Sequence, residues 1–381
     1  MFSQAKIVIA GAGFAGAVIA ERIASVLKEK VIIIDRRKHI GGTSFSEIDP
    51  DTGIECHLFG SHIFHTAIPE VWNYLRRFTD FNTYRHKVLT TWKNRVFTMP
   101  INLKTINDFY GTNLKPYEVE KFIDGERSKS ACPDTDHLEG KAISLVGEKL
   151  YQAFICGYTR KQWNRDPKQL PAEIISRLKI RNNYNADYFN DPYQGIPLNG
   201  YGELFQNLLK NPLIEIKLGI DFREIRTQLP PDCTVFYSGS LDELCDCRFG
   251  ELSWRSLRFE WQDFQQQDWQ GCAVMNYADP EIPYTRTHEF KHYHPEREKV
   301  FHSSRTRICY EYSENGGQGK EPFYPVETPE NLRKYQCYRE SLRGTGIIPI
   351  GRLGSYKYWD IDKTIKNSLD VFEQFKKGKS R

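Results

Sequence analysis

Three glycines spaced as Gly11-x-Gly13-x-x-Gly16, with Asp35 about 20 residues beyond, have the types and spacing to hold a dinucleotide pyrophosphate. Gly11 permits a tight turn, Gly13 lets the backbone approach the phosphates beside Phe14, and Gly16 lets a following helix pack closely. A helix starting at this turn points unpaired amides and the positive end of its dipole at phosphate oxygens. The Asp35 carboxylate can accept from ribose hydroxyls. These groups need elements to place them, and the flanking sequence supplies those. Ile7 to Ala10 reads as a buried parallel strand, Ala17 to Leu27 as a helix and Val31 to Ile34 as a second strand, a complete βαβ unit. The glycine pattern serves NAD as well as FAD. The basic stretch Arg36-Arg37-Lys38 leading into Gly41-Gly42-Thr43 favours FAD, because a second glycine pair so soon after the acidic strand end continues the wrap around the diphosphate.

A similar arrangement recurs near the other end. Ile347 to Ile350 reads as a short buried strand, Gly351-Arg352-Leu353-Gly354 as a glycine loop, and Ile361 to Phe375 as an amphipathic helix with Asp360 and Asp362 at its start. Such an end can receive a pyrophosphate or the electron-rich edge of a reduced flavin; a helix simply capped by aspartates is the plain alternative. Between these segments, Val88 to Met99 reads as a hairpin turning at Lys93-Asn94. Leu103 to Phe122 and Thr135 to Phe154 read as helices separated by a link with Pro133. Strands return at Ile214 to Leu218 and Thr234 to Gly239, and an antiparallel set runs from Trp254 through Tyr312. The expected fold is α/β: a Rossmann-like FAD-binding domain (1–80, 204–247 and 341–381) with an inserted helical domain (100–176) and an antiparallel β-sheet domain (81–99, 177–203 and 248–340).

Composition removes several classes. Hydrophobic residues at 39% can build packed cores, and 53 basic against 49 acidic side chains leave only +4, too little for a nucleic-acid protein. Nine cysteines without CxxC spacing read as free thiols of a reducing cytoplasm. Cys245 and Cys247 lack a matching second pair at zinc spacing, so no metal is expected. No secretory leader and no membrane span are expected either.

Longer motifs carry a resemblance. Gly60 to Thr66 (GSHIFHT), Met99 to Leu103 (MPINL), Gly157 to Trp163 (GYTRKQW), Tyr188 to Asn190 (YFN), Gln194-Gly195, Val274 to Tyr277 (VMNY), Pro283 to Arg286 (PYTR) and Gly351 to Asp360 (GRLGSYKYWD) make the chain resemble the UDP-galactopyranose mutase family over nearly its whole length. The resemblance implies an isomerase in which reduced FAD attacks the anomeric carbon through N5, the nucleoside diphosphate leaves and returns, and no net redox change occurs. It implies that Arg177 and Arg286 bind the diphosphate, where a guanidinium fork suits two phosphoryl oxygens. Arg177 follows Pro171 to Ser176 on a loop that closes over substrate in the family; a solvated face shared with Arg181 is the plain alternative. Tyr188, Tyr324 and Tyr358 match diphosphate-binding positions, Tyr158 the ring that stacks on the base, Trp163 a neighbour of sugar and phosphates, and Phe154, Ile155 and Asn276 further substrate contacts. Asp360 matches a residue that orders the sugar pocket beside Tyr358. His62 and His65 fall near the flavin, and Arg177, Arg286, His62 and Tyr358 form the expected catalytic set. The implied cofactor set is Gly11, Gly13, Phe14, Gly16, Asp35, Arg36, Gly42, Thr43, His62, Ile63, Gly351, Arg352, Asp360, Ile361 and Asp362. Partners implied are a nucleotide sugar, an NAD(P)H or flavin reductant and a second copy of the chain.

Four residues depart from the family pattern. Ser61 replaces a proline, Ile155 a phenylalanine near the base, His86 an asparagine near the sugar, and Phe323 a tyrosine. The smaller Ile155 makes room for a base methyl, so dTDP-fucopyranose stands beside UDP-galactopyranose as a candidate substrate, with UDP-N-acetylgalactosamine a further one. An amine-oxidase-like flavin oxidoreductase or a non-catalytic nucleotide-sugar binder would share the N-terminal unit, but would leave the paired arginines without a purpose.

Overall fold

The computed structural model describes residues 2–130, 134–175, 180–317 and 319–379. Five short strands form one parallel sheet in the order Ile347–Pro349, Thr234–Tyr237, Ile7–Ala10, Val31–Asp35, Ile214–Leu218. Alternation along each strand divides the side chains between two cores. Ile7, Ile9, Ile33 and Phe236 pack on one face beneath Val18, Ile19 and the C-terminal helix residues Ile365, Leu369 and Phe372. Val8, Ala10, Val235 and Tyr237 pack on the other, against Tyr335 and Tyr338 of the helix Pro329–Ser341. Burial on both faces explains why the inner strands Ile7–Ala10 and Thr234–Tyr237 are largely apolar, whereas the edge strand Ile214–Leu218 carries Glu215 and Lys217 on its exposed side.

The first helix begins at Phe14, earlier than Ala17, because Gly13 already serves as its extended N-cap; it runs to Arg22 and continues as a wider π-turn from Ile23 to Leu27. Gly16 therefore lies in the first helical turn. There a Cβ would sit 1.9 Å from the Gly11 carbonyl oxygen, so only glycine allows this helix to pack on the turn. The C-terminal helix spans Ile361–Lys379, and Gly351 to Ser355, expected as a loop, coils into a short helix.

The expected long helices are each divided by a glycine. Leu103–Tyr110 ends at Gly111 (φ 66°) and Val119–Arg127 resumes the path; Leu138–Val146 ends at Gly147 (φ 80°), after which a further helical run leads through Gly157–Trp163. A left-handed residue cannot continue a right-handed helix, which is why the breaks fall there. These pieces share one core around Leu103, Ile106, Ile123, Leu138, Tyr151 and Phe154.

A second, seven-stranded sheet runs Tyr324–Pro325, Trp254–Phe264, Thr306–Asn315, Arg286–Glu289, Val274–Tyr277, Val88–Trp92, Arg95–Met99. It is antiparallel except where Val274–Tyr277 meets Val88–Trp92 in parallel, a junction that the distance in sequence between those strands permits. The Lys93-Asn94 turn takes φ values of 49° and 58°, as a two-residue hairpin requires.

Candidate active site

The ends of the parallel strands open into a cleft floored by glycine. Gly11, Gly13, Gly41, Gly42, Ser238, Gly239 and Gly351 line it, with Asp35 and Arg36 toward one end and His62, Arg352 and Ile361 toward the other. The floor has no room for side chains: a Cβ on Gly11 would lie 1.8 Å from Ser238 Oγ, and one on Gly42 would lie 3.0 Å from the Gly13 Cα. The Gly41 amide bonds the Ala12 carbonyl at 2.9 Å, which ties the second glycine pair to the first turn. Asp35 accepts from the Ala12 amide and the Arg37 amide, each at 2.8 Å, so the carboxylate braces the turn and retains lone pairs facing the cleft. A trench of bare backbone ending at an acidic residue fits the phosphates and ribose of FAD.

Of the expected cofactor residues, Phe14, Thr43 and those just named line the cleft, whereas Gly16, Ile63, Asp360 and Asp362 do not. Gly16 serves helix packing. Ile63 packs beside the core of the second sheet. Asp362 is buried and accepts from Thr66 Oγ1 at 3.1 Å, its carboxyl pushed up by burial. The Asp360 carbonyl accepts from Thr364, opening the last helix. His62 donates from Nδ1 to the Gly60 carbonyl at 2.7 Å, leaving Nε2 as a lone pair. Burial holds its imidazole down near 4, so His62 is neutral at ordinary pH.

Ser238 and Gly239, where the strand from Thr234 is expected to meet the cofactor, face the cleft. Asp221 to Arg223 and Glu321 to Phe323, which no motif marks, face it too, and Glu321 pairs with Arg37 at 2.5 Å and Arg36 at 3.4 Å. No local motif marks Glu321, which reaches the mouth from the other sheet.

The second cluster is built from side chains. Arg286 starts a strand directly opposite Asn276 on one side and Glu311 on the other. Its Nε lies 3.2 Å from Glu311 Oε1, and its Nη2 donates to the Tyr158 hydroxyl. Burial alone would lower the guanidinium; the Glu311 charge outweighs it, with Tyr158, Tyr324 and Tyr188 adding to the effect, so Arg286 stays fully charged. Among the described residues only Tyr158 accepts a hydrogen bond from Arg286, and most of its five N–H groups remain to be used. Asn276 Oδ1 is likewise buried without a partner. Tyr324 and Tyr358 meet edge to face at 5.2 Å, with the Arg352 guanidinium 5.7 Å from the Tyr324 ring. Arg352 also bonds the Trp359 carbonyl at 2.7 Å and the Phe323 carbonyl at 3.1 Å, so it joins the cofactor cleft to this cluster. Tyr188 and Tyr358 keep large exposed areas. Arg181 holds the Tyr188 loop by bonding the Asp187 carbonyl and Asn190 Oδ1.

Trp163 ends the helix that carries Tyr158. Phe154 and Ile155 are buried in the helical core, Phe154 edge-on to Phe97 at 5.0 Å and Phe109 at 5.4 Å. Arg177 lies outside the described residues. Glu311 and its partner His288, absent from the sequence reasoning, are buried beside Arg286; an alternating strand gave no signal for them.

A family model for UDP-galactopyranose mutase matches residues 153–358, and one for an NAD(P)-binding Rossmann-like domain matches residues 9–78. A dTDP-fucopyranose mutase of Escherichia coli is 38% identical over 379 residues, 98% of this chain and 99% of the relative. A probable UDP-galactopyranose mutase of Klebsiella pneumoniae is 39% identical, covering 97% and 94%. The chain belongs to the UDP-galactopyranose mutase family. It is therefore an isomerase that uses FAD. A crystal structure of reduced UDP-galactopyranose mutase matches with a TM-score of 0.75 at 14% identity, covering 98% of this chain and 95% of that one. A structure of a putative protoporphyrinogen oxidase from Exiguobacterium matches at 0.64 with 11% identity over 98% and 99%. At these identities both likenesses are of fold alone.

Proposed function

We propose that this mutase interconverts the pyranose and furanose forms of a nucleoside-diphosphate hexose, in the first place UDP-galactose. The observation that carries the reading is Arg286, a half-buried cation with most donors unused, beside an unpartnered Asn276 oxygen and among four tyrosines. A diphosphate fits these donors because it is doubly charged and accepts from guanidinium and phenol alike. When bound, FAD in its reduced form supplies the nucleophile for the anomeric carbon. The chain's own residues perform the rest. Arg286, with Arg177 as the second proposed arginine, holds the diphosphate as charge grows on it at departure. Tyr188, Tyr324 and Tyr358 donate to its oxygens, Tyr158 stacks on the base, and His62 offers Nε2 toward the flavin end as an uncharged acceptor. Phe154, Ile155 and Trp163 line the base and sugar side in this reading, and Asp360 orders the loop of Tyr358.

Turnover of UDP-galactopyranose by dithionite-reduced enzyme, read as furanose formation, tests this. Conversion after reduction and none before is the expected result; equal activity of the oxidised enzyme would remove the reading. dTDP-fucopyranose is the second substrate, favoured by Ile155 in place of an aromatic ring and by the E. coli relative. A strong preference for UDP-galactopyranose in a side-by-side assay would exclude it. The same reading includes the domain division given above, reduction by NAD(P)H or a flavin reductant, a cytoplasmic homodimer and supply of furanose units to cell-surface polysaccharide. A sedimentation mass of one chain would remove the dimer.

A further inference from the structure

Ser61 is the departure from the family pattern whose consequence the structure displays most directly. Its Oγ lies 2.5 Å from His288 Nδ1 and also accepts from the Tyr293 hydroxyl. His288 Nε2 is 3.0 Å from Glu311 Oε2, and Glu311 Oε1 is 3.2 Å from Arg286 Nε. The sheet register produces this alignment. Arg286 opposes Glu311 directly, and His288, two residues on, falls on the same face of the strand. The imidazole of His288 also lies nearly parallel to Phe290, with 7° between the planes.

Hydrogen-bond inventory fixes the polarity of the chain. A carboxylate only accepts, so the nitrogen facing Glu311 must carry the proton of His288. A neutral imidazole then presents Nδ1 as a lone pair, which needs a donor, and Ser61 O–H is the donor in reach. Tyr293 O–H in turn satisfies the serine oxygen. The groups along Tyr293, Ser61, His288 and Glu311 Oε2 are used without conflict, and Glu311 Oε1 faces Arg286 Nε as a charge contact at 3.2 Å. Burial pushes the His288 imidazole down despite the Glu311 charge beside it, which agrees with a neutral ring. Ser61 is not a nucleophile in this setting. It does not line the cofactor cleft, and both its proton and its oxygen are committed.

We propose that Ser61 and His288 are positioning residues for the diphosphate arginine: Ser61 fixes the His288 tautomer, His288 holds one oxygen of Glu311, and the other oxygen is left facing Arg286 Nε as its ion-pair partner. The Nη edge of the guanidinium is thereby turned toward Tyr158 and the substrate. A proline at position 61 offers no hydroxyl, so this support is a property of the present chain. Without it the imidazole is free to place its proton on Nδ1, its Nε2 lone pair then opposes the Glu311 oxygen, and the carboxylate loses the contact that aims Arg286.

The inference rests on Arg286 as the diphosphate ligand, and the test separates the two. Binding of UDP and of dTDP to the FAD-loaded, oxidised enzyme is measured by calorimetry for the wild type, Ser61→Ala, Ser61→Thr, Glu311→Gln, Arg286→Ala and the double variant S61A/E311Q, with flavin content checked for each. Ser61→Ala is expected to weaken both ligands about tenfold, Ser61→Thr to stay within about twofold of wild type, and S61A to add less than about twofold on the E311Q background, because contacts in one network are not additive. A structural role unrelated to Glu311 would leave the S61A effect unchanged on that background and overturn the proposal. Arg286→Ala with wild-type affinity would overturn the diphosphate reading and the proposal with it. Lost affinity in Arg286→Ala but wild-type affinity in Ser61→Ala would overturn the proposal alone. Should Ser61→Ala fold poorly, nitrogen-15 NMR of the wild-type holoenzyme decides: His288 must be neutral with its proton on Nε2, and a proton on Nδ1 overturns the assignment.

Discussion

The cofactor cleft and the substrate cluster lie side by side but are made from different materials. The cleft is a backbone site. Its floor is glycine, and the groups it offers a phosphate are amides fixed by the turn Gly11 to Gly16 and by the Gly41–Ala12 bond. The cluster is a side-chain site. Arg286, Glu311, Asn276, Tyr158, Tyr324 and Tyr358 come from six separate stretches, and Arg286 has its orientation only through its neighbours. A backbone site tolerates nothing added to it; a side-chain site tolerates nothing removed.

The sharpest way to separate the two is Arg286→Ala. Loss of this half-buried diphosphate donor is expected to lower kcat/KM by about a thousandfold, roughly 4 kcal/mol, with FAD absorbance and stoichiometry unchanged. Steady-state assays and a visible spectrum check it, and flavin loss in this variant would break the division between the regions. The reverse experiment adds one carbon to the floor. Gly11→Ala puts a Cβ 1.8 Å from Ser238 Oγ at a φ of 114°, and is expected to cost about 3 kcal/mol of stability and most of the bound FAD. A holoenzyme of normal yield and melting temperature would show that the floor can yield.

This difference in material also governed what the sequence disclosed. Backbone sites depend on glycines at fixed local spacing, so Gly11, Gly13, Gly42 and Gly351 could be placed in the cleft from the chain alone. Their supporting strands were equally legible as apolar runs. Helix limits were harder, since Gly111 and Gly147 break the helical layer only because the chain adopts positive φ there. The substrate cluster has no local spacing to read. Arg286, Tyr158 and Tyr358 could be named through family motifs, whereas Glu311, His288 and Glu321 emerge only when strands distant in sequence are brought into register.

Acid provides a third test, smaller and directional. His57 and His86, on the side of the second sheet, are held by burial down to about 3. Both are neutral when folded, and the unfolded chain takes up a proton at each near the ordinary histidine value of about 6.5. Stability is therefore complete above that value and falls as pH drops from about 6.5 toward 3, because only the unfolded state binds protons in this window. Between about pH 8 and pH 5.5 each histidine is expected to remove about 1.4 kcal/mol. Urea midpoints of the holoenzyme measure it. His62 and His288 are held down by burial as well and add to the same slope, so replacing His86 with asparagine should flatten it by about a quarter to a third, and an unaltered slope would mean that this ring is already charged in the fold.

The smallest effect concerns how the side-chain site is held. Lys161, on the helix that carries Tyr158, donates its Nζ to the carbonyls of Tyr277, Asp279, Ile282 and Tyr284 at 2.7, 2.9, 3.0 and 3.2 Å. These carbonyls belong to the loop between Asn276 and Arg286, so one ammonium joins the helix bearing Tyr158 to the strand bearing its arginine partner. Lys161→Met keeps the length and removes the donors. The loop carbonyls can turn to water at the surface, so the fold should persist while the Tyr158–Arg286 geometry loosens. A rise in KM of about fivefold, near 1 kcal/mol, with kcat and flavin content unchanged, is the expected pattern. Lys161→Arg should not restore it, because a planar fork cannot direct its protons into four carbonyls converging on one point. If Lys161→Met lost FAD while keeping KM, the loop would belong to the backbone site and the boundary between the two regions would have to be redrawn along it.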